Sequence, residues 1–501
     1  MEEELTDFGL VVLLTALVGL AAVLSNRISE RFRVPAPALF LLGAAFASDL
    51  WPSLGRVSTQ TIEQVVTVAL VVILFDGGLH IGWSRFRTAA VATVWVGVAG
   101  TFVTAGAAAV LAHAAFGLPW RVALLLGTAV APTDPAVVFS VLGRREVSGR
   151  SGVLLEGESG ANDPVGISLL VALLAATGAG AGAIGDIAVT FALQMVVGVL
   201  VGVVGARVLL GAMRRPLPSA ALYPLRVLAL GMAIFGFATV AQGSGFLAVF
   251  VAGILIGDER APYKGEVERF HSALAGMAEI VAFVLLGLSV SLRRLPDGGA
   301  WWIGLVLAMA LTFVIRPVLV GLVLWPVRLS RGERTFVLWT GLKGAVPILL
   351  GVLILRAEVP DADRLYAVIF VVVLFSVLVQ GTLVPTLAGR LQVPLRTVDP
   401  EPWTLGVRFQ HEPQGLHRMT VTAGSVADGA TVGSLPVGED CWISLVLRDG
   451  ALVPVSARTE LQAGDEVVLL AEDETARGLL AGIFGDSATR DPATDPSSAA
   501  P

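Results

Sequence analysis

A short polar stretch within apolar sequence carries oxygen groups that could bind a dehydrated cation. Thr133, Asp134 and Pro135 follow Pro132 inside the apolar segment 121–141. Because proline lacks a backbone N–H and obstructs a regular helix, the two prolines leave backbone carbonyls near Thr133 without helical partners. Hard cations prefer shells made of oxygen ligands. The pattern predicts that Thr133 and Asp134 contribute to a site for a monovalent cation at a broken helix.

A second polar stretch opens the apolar segment 152–176 and supplies a further carboxylate. Ser159 and Asp163 are four residues apart, as are Glu158 and Asn162, so each pair shares one face of a helix. Ser159, Asn162 and Asp163 are therefore candidates to complete the oxygen shell begun by the first stretch. We expect Asp163 to be the competitive site, since its carboxyl group cannot hold the cation while it holds a proton.

The remaining carboxylate of this stretch, Glu158, is predicted to have a structural role. A charged side chain buried in apolar surroundings without a partner is strongly unfavourable. Arg316, beside Pro317 in segment 301–326, is the obvious partner. Such an ion pair would hold two helices together and orient Asp163.

Segment 336–355 resembles segment 121–141 because both contain residues that interrupt a helix. It contains Lys343 between two glycines, followed by Pro347, so it too combines helix-interrupting residues with one charge. Two such segments in corresponding halves of a chain indicate an inverted repeat whose discontinuous helices cross at a binding site. Lys343 would then offset the negative ends of the half-helices, a structural role more than a cation-binding one.

Two further acids lie in apolar segments and are harder to assign. Ionisable residues in such segments are functional candidates because burying them is unfavourable. Asp76, near the end of segment 62–81, either belongs to the cation site, which we favour, or lies at the membrane interface. Glu279, in segment 272–291, has no obvious partner, and its role stays open between structure and function.

The whole chain has the composition of a membrane protein. Of its 501 residues, 55% are hydrophobic and 15% charged, whereas soluble proteins have about 45–50% apolar and about 25% charged residues. This excludes a nucleic-acid-coating protein and, for most of the length, a water-soluble enzyme. The single cysteine, Cys441, excludes a disulfide framework. The five scattered histidines lack metal-ligand spacing, so we expect no metal centre and no cofactor.

The apolar segments set the number of membrane spans. A bilayer core of about 30 Å needs roughly 20 helical residues. We predict thirteen spans, at 8–24, 34–50, 62–81, 90–113, 121–141, 152–176, 187–211, 225–241, 246–257, 272–291, 301–326, 336–355 and 365–389. The eighth and ninth are short and could form one bent helix, which would reverse the side of every later loop.

Basic residues are distributed unevenly between alternate loops. Nineteen Lys and Arg residues fall in one set of loops and six in the other. Because cytoplasmic loops carry an excess of basic residues, the N-terminus is predicted outside and the C-terminus in the cytoplasm. This orientation supports thirteen spans in a bacterial inner membrane.

The end of the chain differs from the apolar body. Residues 1–402 carry a net charge of +2 and residues 403–501 a net charge of −8. Short alternating stretches at 419–422, 442–447 and 466–470, separated by turn signals, predict strands. Residues 486–501, rich in Ser, Ala, Pro and Asp, are expected to be disordered.

Taken together, these motifs closely resemble the monovalent cation/proton antiporters of the sodium/proton exchanger superfamily. The resemblance covers residues 1 to about 392 and rests on the following motifs: Thr133-Asp134-Pro135, Glu158-Ser159-x-x-Asn162-Asp163 and Gly341-Leu342-Lys343-Gly344-Ala345-Val346-Pro347. It implies thirteen helices, a dimer-interface domain and a six-helix core domain that moves like an elevator.

The resemblance also implies roles for single residues. The aspartate at the position of Asp163 binds cation or proton in that family, and the residues matching Thr133, Asp134 and Ser159 help to coordinate the cation. The Asn162–Asp163 pair resembles the electroneutral branch, which exchanges one proton for one cation. The residue at Asp76 lines the cytoplasmic approach, where family members often have Glu.

Two further positions can be compared with the family. The matches at Glu158 and Arg316 form a buried ion pair. Lys343 departs from the many relatives that have Arg, so the charge is kept while the geometry changes.

The tail resembles the TrkA C-terminal (RCK-C) regulatory domain of potassium transport systems, on the stretch LVLRDGALVPVSARTELQAGDEVVLLAED. Such domains dimerise and can bind small regulators. No GxGxxG-bearing unit precedes it, so the nucleotide-binding half is not predicted. This tail favours potassium over sodium as the cation.

We therefore predict an all-α polytopic membrane protein with inverted repeats and two discontinuous crossing helices, followed by a small α+β cytoplasmic domain. Its domains are residues 1–392 (transmembrane), 403–485 (TrkA-C) and 486–501 (disordered tail). The predicted function is exchange of K⁺ for H⁺ by a homodimer embedded in lipid, with a small molecule as possible regulator of the tail and no nucleic acid. The alternatives are a Na⁺(Li⁺)/H⁺ antiporter and, more remotely, a cation channel or a membrane enzyme.

Overall fold

The computed structural model describes residues 35–51, 54, 57–142, 145–147, 149–176, 181–259, 261–397, 416–437, 441–448, 451–471 and 476–485. The chain forms two compact units, Met1–Asp399 and Pro400–Pro501. The first predicted span, the N-terminus and the predicted disordered tail lie outside the described residues, so the predictions for them remain predictions.

The first unit is built from helices. In chain order they are α1 (Ala36–Leu50), α2 (Thr59–Phe116), α3 (Trp120–Ala129), α4 (Ala136–Leu142), α5 (Gly149–Ala175), α6 (Ala181–Met213), α7 (Leu222–Val240), α8 (Gly245–Gly257), α9 (Lys264–Leu288), α10 (Ala300–Ala310), α11 (Arg331–Trp339), α12 (Ala345–Arg356), α13 (Ala362–Phe375) and α14 (Val384–Arg390). Helix α10 continues through the π-helix Leu311–Val320 and a last turn, Gly321–Val323. Helix α13 is joined to α14 by the π-helix Ser376–Gln380 and the 3-10 turn Gly381–Leu383.

The third and fourth predicted spans are two helical halves of α2 that meet at a kink at Gly82. Together they have 58 residues, and each half is long enough for one crossing of a bilayer, which needs roughly 20 helical residues. At the kink, Gly82 has φ 64° and ψ 163°. Beyond this break, Asp258 accepts a hydrogen bond from the backbone N–H of Ser84 and so caps the second half of the helix. The predicted end of the third span at residue 81 agrees with this break, while the next helix begins before residue 90 and already includes Arg85.

The eighth and ninth predicted spans are separate helices. Helix α7 ends at Val240, and Gln242 in the turn that follows has a positive φ of 62°. The side chain of Ser244 then accepts a hydrogen bond from the N–H of Leu247 and caps α8. The turn thus removes the alternative of one bent helix.

Glycines allow the first half of α2 to pack closely on α8. A methyl group added at Gly78 would lie 2.6 Å from the carbonyl oxygen of Phe250, and one added at Gly253 would lie 2.6 Å from that of Phe75. Small residues at such contacts let helix backbones approach each other, as membrane helices do. Six helices in the described residues are long and apolar enough to cross a membrane, while the count of thirteen spans remains a prediction.

The strands are few and belong to two small sheets. In the first unit, β1 (Arg145–Val147) pairs with β2 (Leu395–Thr397). The second unit contains an antiparallel sheet with the order β3-β6-β4-β5, made of β3 (Leu416–Thr420), β4 (Cys441–Arg448), β5 (Ala451–Val453) and β6 (Glu466–Ala471), and the helix α15 (Ala476–Phe484). Its buried core includes Val446, Val467, Leu469 and Phe484. The predicted small α+β domain is confirmed, and β5 is an addition to the three predicted strands.

Candidate cation and proton site

Two broken helices meet at the centre of the predicted site. Helix α3 ends at Ala129 and α4 begins at Ala136, while α11 ends at Trp339 and α12 begins at Ala345. The unwound segments between them are joined by a backbone hydrogen bond of 2.8 Å from the N–H of Asp134 to the carbonyl of Leu342. The structure therefore contains the two discontinuous helices that the sequence predicts.

Lys343 lies at this junction, where backbone carbonyls of the broken helix have no helical hydrogen-bond partner. Its ammonium donates to the carbonyl oxygens of Ala131, at 2.8 Å, and Pro132, at 3.1 Å. The C-terminal end of a helix carries partial negative charge on such carbonyls. The side chain is buried, so Lys343 neutralises the end of α3 in the interior of the unit.

Ser376 and Gln380 support Lys343 and were missed by the sequence predictions. The backbone N–H of Lys343 donates to Ser376 Oγ at 2.9 Å, and that hydroxyl donates to Gln380 Oε1 at 3.0 Å. Gln380 Nε2 donates in turn to the carbonyl of Trp339 at 2.5 Å. Two polar residues four apart in an otherwise apolar helix were the available signal.

Helix α5 carries four neighbouring polar side chains into the interior. Glu158, Ser159, Asn162 and Asp163 are all buried. Asn162 Nδ2 donates to Thr133 Oγ1 at 2.7 Å, and its Oδ1 accepts from the N–H of Thr133 at 3.3 Å. Asn162 therefore connects α5 to the first broken helix, and both the NH2 group and the carbonyl oxygen of its side chain form hydrogen bonds.

Asp163 is a buried acid, and one of its carboxylate oxygens, Oδ1, forms no hydrogen bond with the described residues. The charges of Asp134 and Lys343 are close enough to act on it. An unsatisfied buried oxygen is unfavourable by about 1–3 kcal/mol, and a bound proton or cation would relieve that penalty.

The carboxylate of Asp134 lies beside Gly344 of the opposite unwound segment, in space that a side chain at position 344 would fill. A methyl group placed on Gly344 would lie 1.8 Å from Asp134 Oδ2. Asp134 is half-buried, so its carboxylate occupies the space beside the second break. The structure thus brings Thr133, Asp134, Asn162 and Asp163 together at the crossing.

Glu158 and Arg316 form a buried ion pair with two contacts. Arg316 Nη1 lies 2.9 Å from Glu158 Oε1, and Nη2 donates to Oε2 at 3.2 Å. The same guanidinium donates from Nε to the carbonyl of Leu338 at 2.9 Å and from Nη2 to that of Val337 at 3.2 Å. Arg316 therefore ties α5 to the last turn of α11, next to the second break.

Asp76 lies on α2 and contacts other residues than those at the crossing. Its Oδ1 accepts from Ser272 Oγ at 3.2 Å and is 3.4 Å from His80 Nδ1. Among the described residues, none of its hydrogen bonds reaches Thr133 or Asp163. Asp76 is thus held between α2 and α9, with the half-exposed ring of His80 beside it.

Glu279, whose role the sequence left open, lies within electrostatic range of the site. It lies on α9, and the charge of Asp134 is close enough to act on it. Its Oε1 has no hydrogen-bond partner in the part of the chain that the structure describes. A second acid with a free oxygen therefore lies near the crossing.

Family models match both units of the chain. The model described as "Sodium/hydrogen exchanger, transmembrane" matches residues 12–389, and the model of the TrkA-C domain matches residues 416–481. The chain belongs to the sodium/hydrogen exchanger family. This exchanger is therefore a membrane-embedded cation/proton antiporter and not an enzyme, and the predicted family is confirmed.

Curated relatives of the exchanger carry the names of two kinds of antiporter. The K(+)/H(+) antiporter NhaP of Alkalimonas amylolytica is 32% identical over 77% of this chain and 68% of its own. The K(+)/H(+) antiporter NhaP2 of Shewanella sp. (strain MR-4) is 30% identical over 93% of this chain and 82% of its own. The Na(+)/H(+) antiporter NhaH of Halobacillus dabanensis is 27% identical over 65% of this chain and 83% of its own.

A solved structure shares the fold of the exchanger. The sodium proton antiporter MjNhaP1 of Methanocaldococcus jannaschii superposes with a TM-score of 0.64 at 22% sequence identity. The match covers 76% of this chain and 99% of that one. The helical architecture of the first unit is therefore that of this antiporter fold.

Proposed function

We propose that the protein exchanges K⁺ for H⁺, one for one, across a bacterial inner membrane. The observation that carries the proposal is Asp163, a buried carboxylate with a free oxygen beside two broken helices. Thr133, Asp134, Ser159 and Asn162 are proposed as its ligands or supports. Asp76 is proposed to act on the cytoplasmic approach to the site.

Exchange follows from competition at Asp163. A carboxylate buried without a partner is unfavourable, so the empty, charged site should be the least populated state. With a proton bound the group is neutral, and with a cation bound its charge is offset. If only these loaded states cross between inward and outward openings, each proton that moves one way requires a cation to move the other way.

Potassium is proposed over sodium on two grounds. Relatives that match 77% and 93% of this chain are named K(+)/H(+) antiporters, and the TrkA-C match fits a domain resembling those of potassium transport systems. The second candidate is Na⁺/H⁺ exchange, which the name of the Halobacillus relative favours.

The remaining parts of the chain are assigned supporting roles. Glu158, Arg316 and Lys343 hold the broken helices in place, since their contacts are with each other's helices and with carbonyl oxygens. We propose a transmembrane domain at residues 1–392 and a regulatory TrkA-C domain at residues 403–485, on the cytoplasmic side. A homodimer in lipid and a small-molecule regulator of the tail complete the proposal.

The test is proton flux in vesicles that contain the purified full-length protein. The vesicle interior is first made acidic, and K⁺, Na⁺ and Li⁺ are then added separately to the outside while a pH-sensitive dye is followed. K⁺ should dissipate the gradient, and Asp163→Asn should abolish that response. The matched control is Asp186→Asn, an exposed aspartate on α6, which should exchange normally.

Other outcomes decide against the proposal. Normal exchange by Asp163→Asn would remove the site assignment, and a response to Na⁺ without K⁺ would replace potassium by sodium. Unitary currents in planar bilayers would identify a channel instead. A dependence of the rate on membrane potential would contradict one-for-one exchange.

A further inference from the structure

A cavity of about 540 Å³ lies away from the cation site, between α2, α5 and the segment that follows α10. Its wall combines two kinds of side chain. The basic ones are Arg87, Arg150 and Arg328, and the apolar ones include Val91, Trp95 and Leu154. A cavity of this composition suits a molecule that has an anionic group and an apolar part.

The three arginines lie at one boundary of the apolar segments. Arg87 comes just before segment 90–113 and Arg150 just before segment 152–176. Arg328 comes just after segment 301–326. All three belong to the arginine-rich set of stretches between the predicted spans, and they line one cavity, which fits a position on the same side of the membrane.

No carboxylate in the described part of the chain forms an ion pair with any of these three arginines. The acids nearby are engaged with other groups. Glu156 lies 3.8 Å from Arg85, and Glu333 accepts from the backbone N–H of Ser330 in the capping box of α11. The positive charge of the cavity is therefore left for a ligand.

The apolar wall faces outward at the same depth. Val91 is 87% exposed and Trp95 is 51% exposed. The indole N–H of Trp95 donates to the carbonyl of Val323 at 3.0 Å, which fixes the ring at the end of the α10 segment. A tryptophan in this position is typical of the membrane–water interface.

We propose that this cavity binds an anionic phospholipid, with the phosphate between the arginines and an acyl chain along Val91 and Trp95. Guanidinium groups match phosphate oxygens in pairs, and basic pockets between membrane helices on the cytoplasmic side suit anionic headgroups. A free phosphate would use the arginines alone, and an acidic segment of protein would leave the apolar wall uncovered. An anionic phospholipid would contact both the arginines and the apolar wall.

The test compares lipids on the full-length protein. Detergent-solubilised protein is titrated with phosphatidylglycerol or phosphatidylcholine, and bound lipid is counted by native mass spectrometry. Each arginine near an anionic headgroup contributes about a fivefold increase in affinity. We expect Arg87→Gln and Arg328→Gln each to weaken phosphatidylglycerol binding about fivefold, and their combination with Arg150→Gln to remove the preference over phosphatidylcholine.

A matched control removes the same charge elsewhere on the same side. Arg214, Arg269 and Arg390 are exposed and lie outside the cavity. The triple Gln variant at these positions should keep the preference for phosphatidylglycerol. Equal weakening by the control and the cavity variants would show general surface charge and overturn the proposal.

Two further measurements distinguish a lipid ligand from a free phosphate ion. Val91→Ser removes apolar contact on an exposed residue, so it should weaken lipid binding while the protein stays folded. Inorganic phosphate at 10 mM should leave bound phosphatidylglycerol in place. Complete displacement by phosphate, or no effect of Val91→Ser, would replace the lipid site by a phosphate site.

Discussion

The ion pair of Glu158 and Arg316 is supported by more than the attraction of two charges. The guanidinium makes two contacts to the carboxylate and two to carbonyls at the end of α11. These bonds satisfy both charged groups within a buried environment, where an unpaired charge is strongly unfavourable. The pair therefore serves to hold α5 against α11 more than to bind a cation.

Replacing Glu158 by Gln should destabilise the protein. The substitution leaves the buried guanidinium without its counter-charge, which costs about 3–5 kcal/mol. Thermal unfolding of the purified protein in detergent measures the loss. The matched control is Glu156→Gln, on the same helix, whose pair with Arg85 is partly exposed and worth about 0–1 kcal/mol. Equal stability of the two variants would contradict a structural role for the buried pair.

The residues of the site were predictable to different degrees. Glu158 and Arg316 were paired from the sequence because each is a charge that needs a partner in an apolar segment. Ser376 and Gln380 were missed because single hydroxyls and amides in a membrane helix can bond within their own helix, so their sequence does not reveal a partner. Asp76, predicted for the cytoplasmic approach to the site, accepts from Ser272 and lies 3.4 Å from His80, and its role stays a prediction.

The elements that create the site are two broken helices whose unwound segments are in contact. Each break leaves backbone groups unpaired, and these are satisfied by contacts across the crossing: Asp134 with Leu342, and Lys343 with Ala131 and Pro132. Irregular backbone inside a membrane protein is tolerated where such contacts or a polar cavity satisfy it. The crossing is therefore a single structure to which both broken helices contribute.

A methyl group on Gly344 should disturb this crossing directly. In Gly344→Ala the new carbon would overlap Asp134 Oδ2, so the carboxylate must leave its position at the crossing. We expect exchange in vesicles to fall at least tenfold while the protein remains folded. Gly106→Ala is the matched control, because nothing lies within 4 Å of the added carbon. Full activity of Gly344→Ala would show that the position of Asp134 is unimportant.

Breaks caused by local residues were predictable, and breaks caused by distant contacts were not. Pro132 and Pro135 predict the first break because proline interrupts the helix in which it lies. The break at Gly82 depends on Asp258, which is 174 residues away from Ser84 along the chain. A single glycine in a sequence gives no sign of such a partner, so the end of the third span at residue 81 was predicted, but the early start of the next helix, directly after Gly82, was not.

On the scale of the whole molecule, the two units differ in where their charged groups lie. The first keeps its buried charges in pairs or at the crossing, whereas the second is a small soluble-type domain with its own apolar core. In the second unit, Arg448 Nε and Nη2 donate to the two oxygens of Asp465 at 2.8 Å each. These bonds join β4 to the turn before β6 and stabilise this domain alone.

The Arg448 guanidinium holds the pKa of Asp465 below its ordinary value. Because the pKa is lower in the folded state than in the unfolded state (about 3.9), the contribution of this carboxylate is fully present above the unfolded value. It is lost as the pH falls through the folded value. The stabilisation is therefore complete at neutral pH and disappears only in acid.

Replacing Asp465 by Asn should loosen the second unit and leave the first unchanged. Loss of the charged hydrogen bonds costs roughly 1.5–3 kcal/mol at pH 7, and the difference from the wild type should shrink below about pH 4, where the native carboxylate is protonated as well. Hydrogen exchange of β4 and β6 in the full-length protein measures this, with α5 as the internal reference. Glu460→Gln, an exposed acid in the same unit, should exchange like the wild type. Faster exchange in α5 of the Asn variant would mean that the two units unfold together, and an unchanged rate in β4 would mean that the ion pair contributes nothing.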